Sequence, residues 1–494
     1  MTELLSNISS LVFLFVCAVS LLIIISFKRR ESDGSFINTL AIISLVVAIV
    51  WEMSELISGK NEYMGHMITV NSFTALSSII LYIIGIITIV ITDSFKGFLA
   101  EDKGDSSILI LLSICGMQIM IISSEFILML IGLEIASMSI FVLSSRNNRS
   151  RLAIEATIKY LVFSSIFFAI SLLGIAIVYG FMLSIGVNSD MLSFHNLGFV
   201  GRTLNAGNLL LTSAYIFIIS IILLKLGIIP FHMWVPDFYE GSPSVVSGFA
   251  STSIKVASVV VILNIFSKMF FMPLISDYHA AYKMLEVLTI ITIIVSTVVA
   301  LHQTNVKRLI AYSSIANAAL IMLGLLSYLV ASEQLRIVVK VNLVFFILVY
   351  SLMTLLAFGV FSRLEKEGGG NQLISSFNGL YFKNPFLALS LSVALFSLAG
   401  LPPTGGFFAK LFIFKSAIDS GLIVISVVAI LMTIVSLYYY LNFVIVMFIK
   451  EPSTNERYSG STLFNFTIGI IVFAILLAGI LPNKLIGVFE LLLK

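Results

Sequence analysis

The chain has 494 residues, 59% of them hydrophobic and only 11% charged, with a formal net charge of +3 and a mean hydropathy of +1.12. These figures exclude an ordinary soluble domain, and the small net charge gives no reason to expect a nucleic-acid partner. They describe a polytopic, all-α membrane protein in which each span takes about 20 residues.

In chain order, fourteen apolar segments are predicted, at about 8–27, 37–57, 70–92, 106–123, 124–144, 155–180, 208–235 and 243–266, then 284–301, 306–328, 337–361, 385–418, 421–449 and 462–482. The first ends in Lys28-Arg29-Arg30 and reads as a retained span, not a cleaved leader. Only a polar turn at Ser123-Ser124-Glu125 separates the fourth from the fifth. The two cysteines, Cys17 and Cys115, lie inside apolar runs and are expected to fill space. The longest polar connections are about 181–207 and 362–384, and Gly368-Gly369-Gly370-Asn371 is expected to be a flexible loop. Loops after odd-numbered spans carry most of the Lys and Arg, including Lys28, Arg29, Arg30, Arg146, Arg149, Arg151, Lys307 and Arg308. That bias puts those loops in the cytoplasm and both termini outside.

Two spans are interrupted by helix breakers. The seventh contains Gly227 and Pro230; the twelfth contains Gly400, Pro402, Pro403, Gly405 and Gly406. Proline removes a backbone donor, and glycine weakens what remains. Unwound backbone at membrane depth survives only where protein or water satisfies its polar groups, so each break implies a wet cavity. The breaks are five spans apart and therefore run in opposite directions. This pattern predicts two inverted five-helix repeats, 106–266 and 284–449, between an N-terminal three-helix segment, 1–105, and a C-terminal helix in 450–494.

Ionisable groups interrupt the apolar runs at Glu134, Lys159, Lys225, His232, Lys255 and Lys410. A charge at the bilayer centre costs about 2.5–3.5 kcal/mol on insertion scales, so a chain that keeps this many is expected to use them. Lys225 and Lys410 adjoin the two breaks. Glu134, the one deep acid expected in the first half, would pair with Lys225 or Lys159. An ammonium group binds its proton more tightly beside a carboxylate than in a dry pocket, so such a pair could load and release protons as it opens and closes. Moving one charge against a potential of about 150–200 mV requires about 3.5–4.5 kcal/mol. That equals about a thousandfold change in proton affinity, within the range of such a pair. A static ion pair is the alternative. Lys159 is a relay or a lysine snorkelling to the interface. Lys255 would bridge Lys225 and Lys410, and Lys410 would be an exit-side carrier. His232 is an additional candidate for proton exchange, or a hydrogen-bonded core histidine. The aromatic run Tyr438-Tyr439-Tyr440 reads as packing or interface residues.

The stretch Lys225-Leu226-Gly227-Ile228-Ile229-Pro230-Phe231-His232-Met233-Trp234-Val235-Pro236-Asp237-Phe238-Tyr239-Glu240-Gly241-Ser242-Pro243 closely resembles subunit N of NADH–quinone oxidoreductase (respiratory complex I), the family called subunit 2 in organelles. The runs from Asn305 to Ala316 and from Leu398 to Lys410 are similar to two further stretches of that family, and the likeness spans about residues 70–450. It implies an antiporter-like membrane-arm subunit whose polar axis would fall on Glu134, Lys159, Lys225, Lys255 and Lys410. Family members often have histidine where this chain has Asn317, and the arginine usual in the thirteenth span stands here as Asn442. No proton relay is expected at Asn317.

The resemblance further implies proton translocation in the plasma (inner) membrane of a prokaryote, as part of an enzyme that couples quinone reduction to pumping. FMN, iron–sulfur clusters and quinone would sit in partner subunits, since the chain has neither a cysteine framework nor a dinucleotide fingerprint. Partners would be a sister antiporter-like subunit, small membrane subunits and the lipid bilayer. The competing readings are a subunit of a multi-subunit cation/proton antiporter or membrane-bound hydrogenase, and a scaffold that moves no protons.

Overall fold

The computed structural model describes residues 9–27, 34–58, 62–64, 67–95, 100–146, 151–186, 191–194, 209–269, 276–365, 373–451 and 461–493. The proposed loop at Gly368–Asn371 lies outside them. Within a bilayer every backbone N–H and C=O must find a partner inside the protein, which selects helices. The described chain is accordingly helical, apart from a short hairpin pairing Glu62–Met64 with Ile68–Val70.

The first six helices are α1 (Ser9–Phe27), α2 (Gly34–Ser58), α3 (Ser72–Ser94), α4 (Ala100–Ile122), α5 (Phe126–Ser145) and α6 (Arg151–Ser184). Next come α7 (Leu209–Leu226), the short α8 (Trp234–Gly241), α9 (Ser244–Met269), α10 (Ser276–Leu301), α11 (Val306–Val330) and α12 (Glu333–Leu364). The last six are α13 (Leu380–Lys383), α14 (Pro385–Ala399), α15 (Gly405–Asp419), α16 (Ile423–Phe448), α17 (Thr462–Ile480) and α18 (Pro482–Leu493). Twelve of these are long and apolar enough to cross a membrane, and two shorter apolar helices, Leu210–Leu226 and Pro385–Ala399, are the leading halves of interrupted ones. Fourteen crossings are reached only by counting each interrupted pair as one.

Helices α3, α9, α11 and α12 form the centre, with 89–94% of their apolar windows buried, whereas α1, α2, α6, α16 and α17 are only 22–33% buried. Large side chains such as Phe15, Leu173, Leu431 and Phe473 point outward, as a lipid-facing rim requires. The predicted alternation of helix direction holds. Ends of odd-numbered spans meet on one face, where Arg146 pairs with Asp105, Lys307 with Glu365, and Arg363 donates to the Ser94 carbonyl. The opposite face gathers the start of α3 and the end of α4, with Ser124 bonded to Thr69.

Both breaks have the same local architecture. In α7 the Ile228 N–H reaches the Leu223 carbonyl (3.0 Å) and the Gly227 N–H reaches Leu223 and Leu224. In α14 the Leu401 N–H reaches the Phe396 carbonyl (2.9 Å) and the Gly400 N–H reaches Phe396 and Ser397. These are Schellman endings, and the glycine at each sits at φ +80° or +81°, where a Cβ would be strained. A proline follows three residues later in each case, and the chain then re-enters helix as α8 or α15.

Candidate functional site

Three lysines lie in the interior of the bundle: Lys225, Lys255 and Lys410 are 3%, 3% and 5% exposed. Among the described residues none has an ion-pair partner within 4 Å, and their hydrogen bonds go to hydroxyls and backbone carbonyls.

Lys225, in the last turn of α7, turns away from its own break toward α6. Its Nζ donates to Ser164 Oγ (2.9 Å) and the Tyr160 hydroxyl (3.2 Å) and lies over the Tyr160 ring, 4.6 Å from its centre. Glu134 on α5 is near enough for its charge to act on Lys225 but does not touch it, and its buried Oε2 has no hydrogen-bond partner. The expected contact with Lys225 or Lys159 is therefore absent. The reason is that Tyr160 and Ser164, on the intervening helix α6, occupy the lysine head. Nor is Glu134 the one deep acid of the first half, because Glu52 on α2 is buried as well.

Lys159 belongs elsewhere. It pairs with Glu155 (2.5 Å) and Asp237 (2.5 Å); Arg308 pairs with Asp237 (2.8 Å) and Glu240 (2.8 Å); and Asn305 donates to Glu240 (3.1 Å). This half-exposed network ties α8, the segment after the first break, to both α6 and α11. Nearby, a fully buried pair joins Lys307 to Glu365 (2.8 Å), with Lys307 also donating to the Ser242 carbonyl and Glu365 accepting from the Ser244 N–H. From sequence, Lys307 counted only as a loop charge. The parity of the spans puts it on the same face as Glu365, which is the signal that could have found the pair.

Lys255 on α9 donates to the Ser314 carbonyl (2.6 Å), Ser314 Oγ (2.6 Å) and the Tyr350 hydroxyl (3.0 Å). Ser314 Oγ also bonds Tyr350 (2.8 Å) and Tyr239 (3.0 Å). The adjacent residue on α11, Ser313, bonds the Tyr440 hydroxyl of α16, so Tyr440 is part of the polar interior and not simple packing. Asn317, one turn further along α11, donates to the Ser313 carbonyl (2.9 Å) and leaves its Oδ1 buried and unpartnered. Asn317, Tyr440, Ser436, Thr297 and Lys410 line one cavity with about 20 Å³ open to the centres of water molecules, room for one or two waters. Lys410 itself donates to the Leu398 carbonyl (2.6 Å), capping the end of α14.

The Lys255 group and the Lys410 cavity are thus joined through neighbouring residues of α11. Between the Lys225 group and the Lys255 group stand aromatic rings: Tyr160 lies 5.1 Å from Trp234 and 4.9 Å from Phe238, and Phe238 lies 6.4 Å from Tyr239. His232, in the linker after the first break, is buried with Nδ1 unpartnered, and joins neither group by a hydrogen bond among the described residues. The hydroxyls Ser164, Tyr160, Ser313, Ser314, Tyr350 and Tyr440 were missed from sequence. Their signals were the doublets Ser164-Ser165 and Ser313-Ser314 inside otherwise apolar spans.

The family described as NADH:quinone oxidoreductase/Mrp antiporter, TM matches residues 123–436. A relative from Roseiflexus castenholzii named NADH-quinone oxidoreductase subunit N 1 is 34% identical over 79% of this chain and 74% of its own length. Among solved structures, a chain of respiratory complex I from Thermus thermophilus with bound aureothin is similar at 26% identity and TM-score 0.78, covering 97% of this chain and 98% of that one. A chain of the Mrp complex from Dietzia sp. DQ12-45-1b shares the fold at 14% identity and TM-score 0.81, covering 99% of this chain and 97% of that one.

Proposed function

Because the chain belongs to the NADH:quinone oxidoreductase/Mrp antiporter transmembrane family, we propose that, as a membrane-arm subunit of the subunit N type, it moves protons for a respiratory NADH–quinone oxidoreductase. The observation that carries this reading is the set of three buried lysines without contacting carboxylates among the described residues. An unpaired buried charge is destabilising, and a lysine whose only task is packing would be expected to have a carboxylate partner. A lysine surrounded by hydroxyls can instead release its proton to a neighbouring oxygen and take another.

The proposed proton-carrying stations are Lys225, Lys255 and Lys410, with the rings of Trp234 and Phe238 between the first and the second. The Tyr160 and Ser164 hydroxyls serve the first lysine, and Ser314 and Tyr350 serve the second. Ser313, Tyr440 and water in the Asn317 cavity lead to the third. Glu134 acts on Lys225 through space and modulates its hold on the proton. Lys159 serves as a tie for α8 and not as a relay. The helices flanking the two breaks form inverted units at 106–266 and 284–449. The positive-inside bias places the face bearing Lys307 and Arg308 in the cytoplasm, and both termini outside, in the inner membrane of a prokaryote. FMN, iron–sulfur clusters and quinone belong to partner subunits, with other membrane-arm subunits alongside.

The test is Lys255→Ala in the assembled enzyme, reconstituted in sealed vesicles. Normal electron transfer with normal pumping would support a scaffold; loss of pumping in an assembled enzyme supports the path. A cation/proton antiporter reading predicts that no electron-transfer subunits accompany the purified chain.

A further inference from the structure

A second buried polar group lies outside the lysine path, between the N-terminal helices and the first repeat. Glu52 on α2 is 4% exposed. Three donors from three other helices converge on one of its oxygens, Oε1: Ser10 Oγ of α1 (2.7 Å), Gln118 Nε2 of α4 (3.1 Å) and, more distantly, the Tyr82 hydroxyl of α3 (3.5 Å). Among the described residues Oε2 receives no donor, yet it is not one of the fully buried unpartnered atoms. Gln118 also donates to Ser10 Oγ (2.8 Å), and its own Oε1 is buried without a hydrogen-bond partner.

Among the described residues no cation pairs with Glu52. The titratable groups around it are Glu55 on the same helix, Tyr82 of α3 and, next to Tyr82, Cys115 of α4, which itself faces Cys17 of α1. None of these carries positive charge. A buried carboxylate normally spreads its donors over both oxygens and has a counter-ion near it. Here one oxygen takes every donor, as a carbonyl oxygen would, and the other takes none, as a hydroxyl oxygen would. The cluster holds one acceptor too many, the Gln118 Oε1, and lacks one hydrogen.

We propose that Glu52 is a proton-binding site separate from the lysine path: the carboxyl holds a proton on Oε2 and, in this neutral form, locks the three N-terminal helices to α4. The proton comes from water and returns to water when the joint loosens; no bond other than O–H is made or broken. The ligand follows from this oxygen geometry, and the proposal does not depend on whether the chain pumps protons.

Infrared spectroscopy of the chain, purified from its membrane with its partner subunits and studied in lipid, tests this. The expected result at neutral pH is a protonated-carboxyl C=O band that shifts in D2O and disappears in Glu52→Gln. In Tyr82→Phe, which removes one donor from Oε1, the band moves to higher frequency. If Glu52→Gln fails to assemble, the Tyr82→Phe shift together with a pH titration of the unmodified protein still decides. Carboxylate bands alone at neutral pH, or a band unmoved in Tyr82→Phe, would overturn the proposal. A band that responds to sodium at fixed pH would assign the site to an alkali cation and overturn it equally.

Discussion

The two interrupted helices share a frame but place their lysines on opposite sides of it. Both run from a Schellman ending through glycine to a proline three residues on. Lys225 stands two residues before its glycine, and Lys410 ten residues after its own. The Lys410 ammonium nevertheless reaches back to the Leu398 carbonyl, and Leu398 stands two residues before Gly400, the offset that Lys225 holds from Gly227. The second half thus brings a positive charge to the matching point of its break from the far side. At the first break the corresponding orphan carbonyl region is served differently, with Trp234 Nε1 donating to Leu224 (2.9 Å), and that leaves Lys225 free to face the hydroxyls of α6. One lysine caps a helix end beside a water-sized cavity; the other is surrounded by side-chain hydroxyls. The same backbone device therefore sets one lysine against a helix end and leaves the other facing hydroxyls.

The largest expected effect lies where the halves are clamped. Lys307→Leu leaves Glu365 charged and buried without a counter-ion, a loss of about 3–5 kcal/mol. The thermal midpoint of the purified enzyme should fall sharply, and the double variant Lys307→Leu with Glu365→Leu should recover most of it. A midpoint unchanged in the single variant would mean the pair is not needed to hold the α8–α9 junction against α11 and α12. Next come the two glycines. Gly227→Ala and Gly400→Ala should each cost about 1–2 kcal/mol, because both require a left-handed backbone. Only at Gly400 would the new Cβ press on the lysine, with Lys410 Cδ 3.1 Å away, so pumping should fall in Gly400→Ala and much less in Gly227→Ala. Equal losses would erase the proposed asymmetry. Ser314→Ala removes hydrogen bonds worth about 0.5–1.5 kcal/mol from the Lys255 junction. Pumping rate in vesicles should drop by about two- to tenfold. Smallest of all is Lys159→Ala: its side chain is 37% exposed, and Arg308 still holds Asp237. Exposed pairs are worth about 0–1 kcal/mol, so a change under about fivefold is expected. A complete loss of pumping would return Lys159 to the relay.

Sequence carried the architecture well because the bilayer makes it legible. Apolar runs of span length, polar turns and breakers fixed the order of helices, the alternation of direction and both interruptions. Burial of Lys225, Lys255 and Lys410 was equally readable, since each interrupts a span-length run with no other charged residue within four positions. What failed was pairing. Glu134 looked like the partner of Lys225 because opposite charges attract, but which side chain fills the space between α5 and α7 depends on helix rotation, and Tyr160 and Ser164 fill it. Lys159 looked intramembrane, although it sits two turns into α6 within reach of Glu155 and Asp237. Serines and tyrosines in apolar spans are common, so nothing marked Ser314 or Tyr440 as partners until three helices were brought together. Glu52 was not singled out: it lies in the last two turns of α2, where an acid does not stand out as deep.

The central claim is that the unpaired interior lysines carry protons, and Lys225 tests it most directly because its contacts are all side-chain hydroxyls. Proton uptake and electron-transfer rate should be measured together in sealed vesicles holding the assembled Lys225→Ala enzyme. The account predicts that protons moved per electron fall while the enzyme remains intact. An unchanged ratio at a normal turnover rate would contradict it.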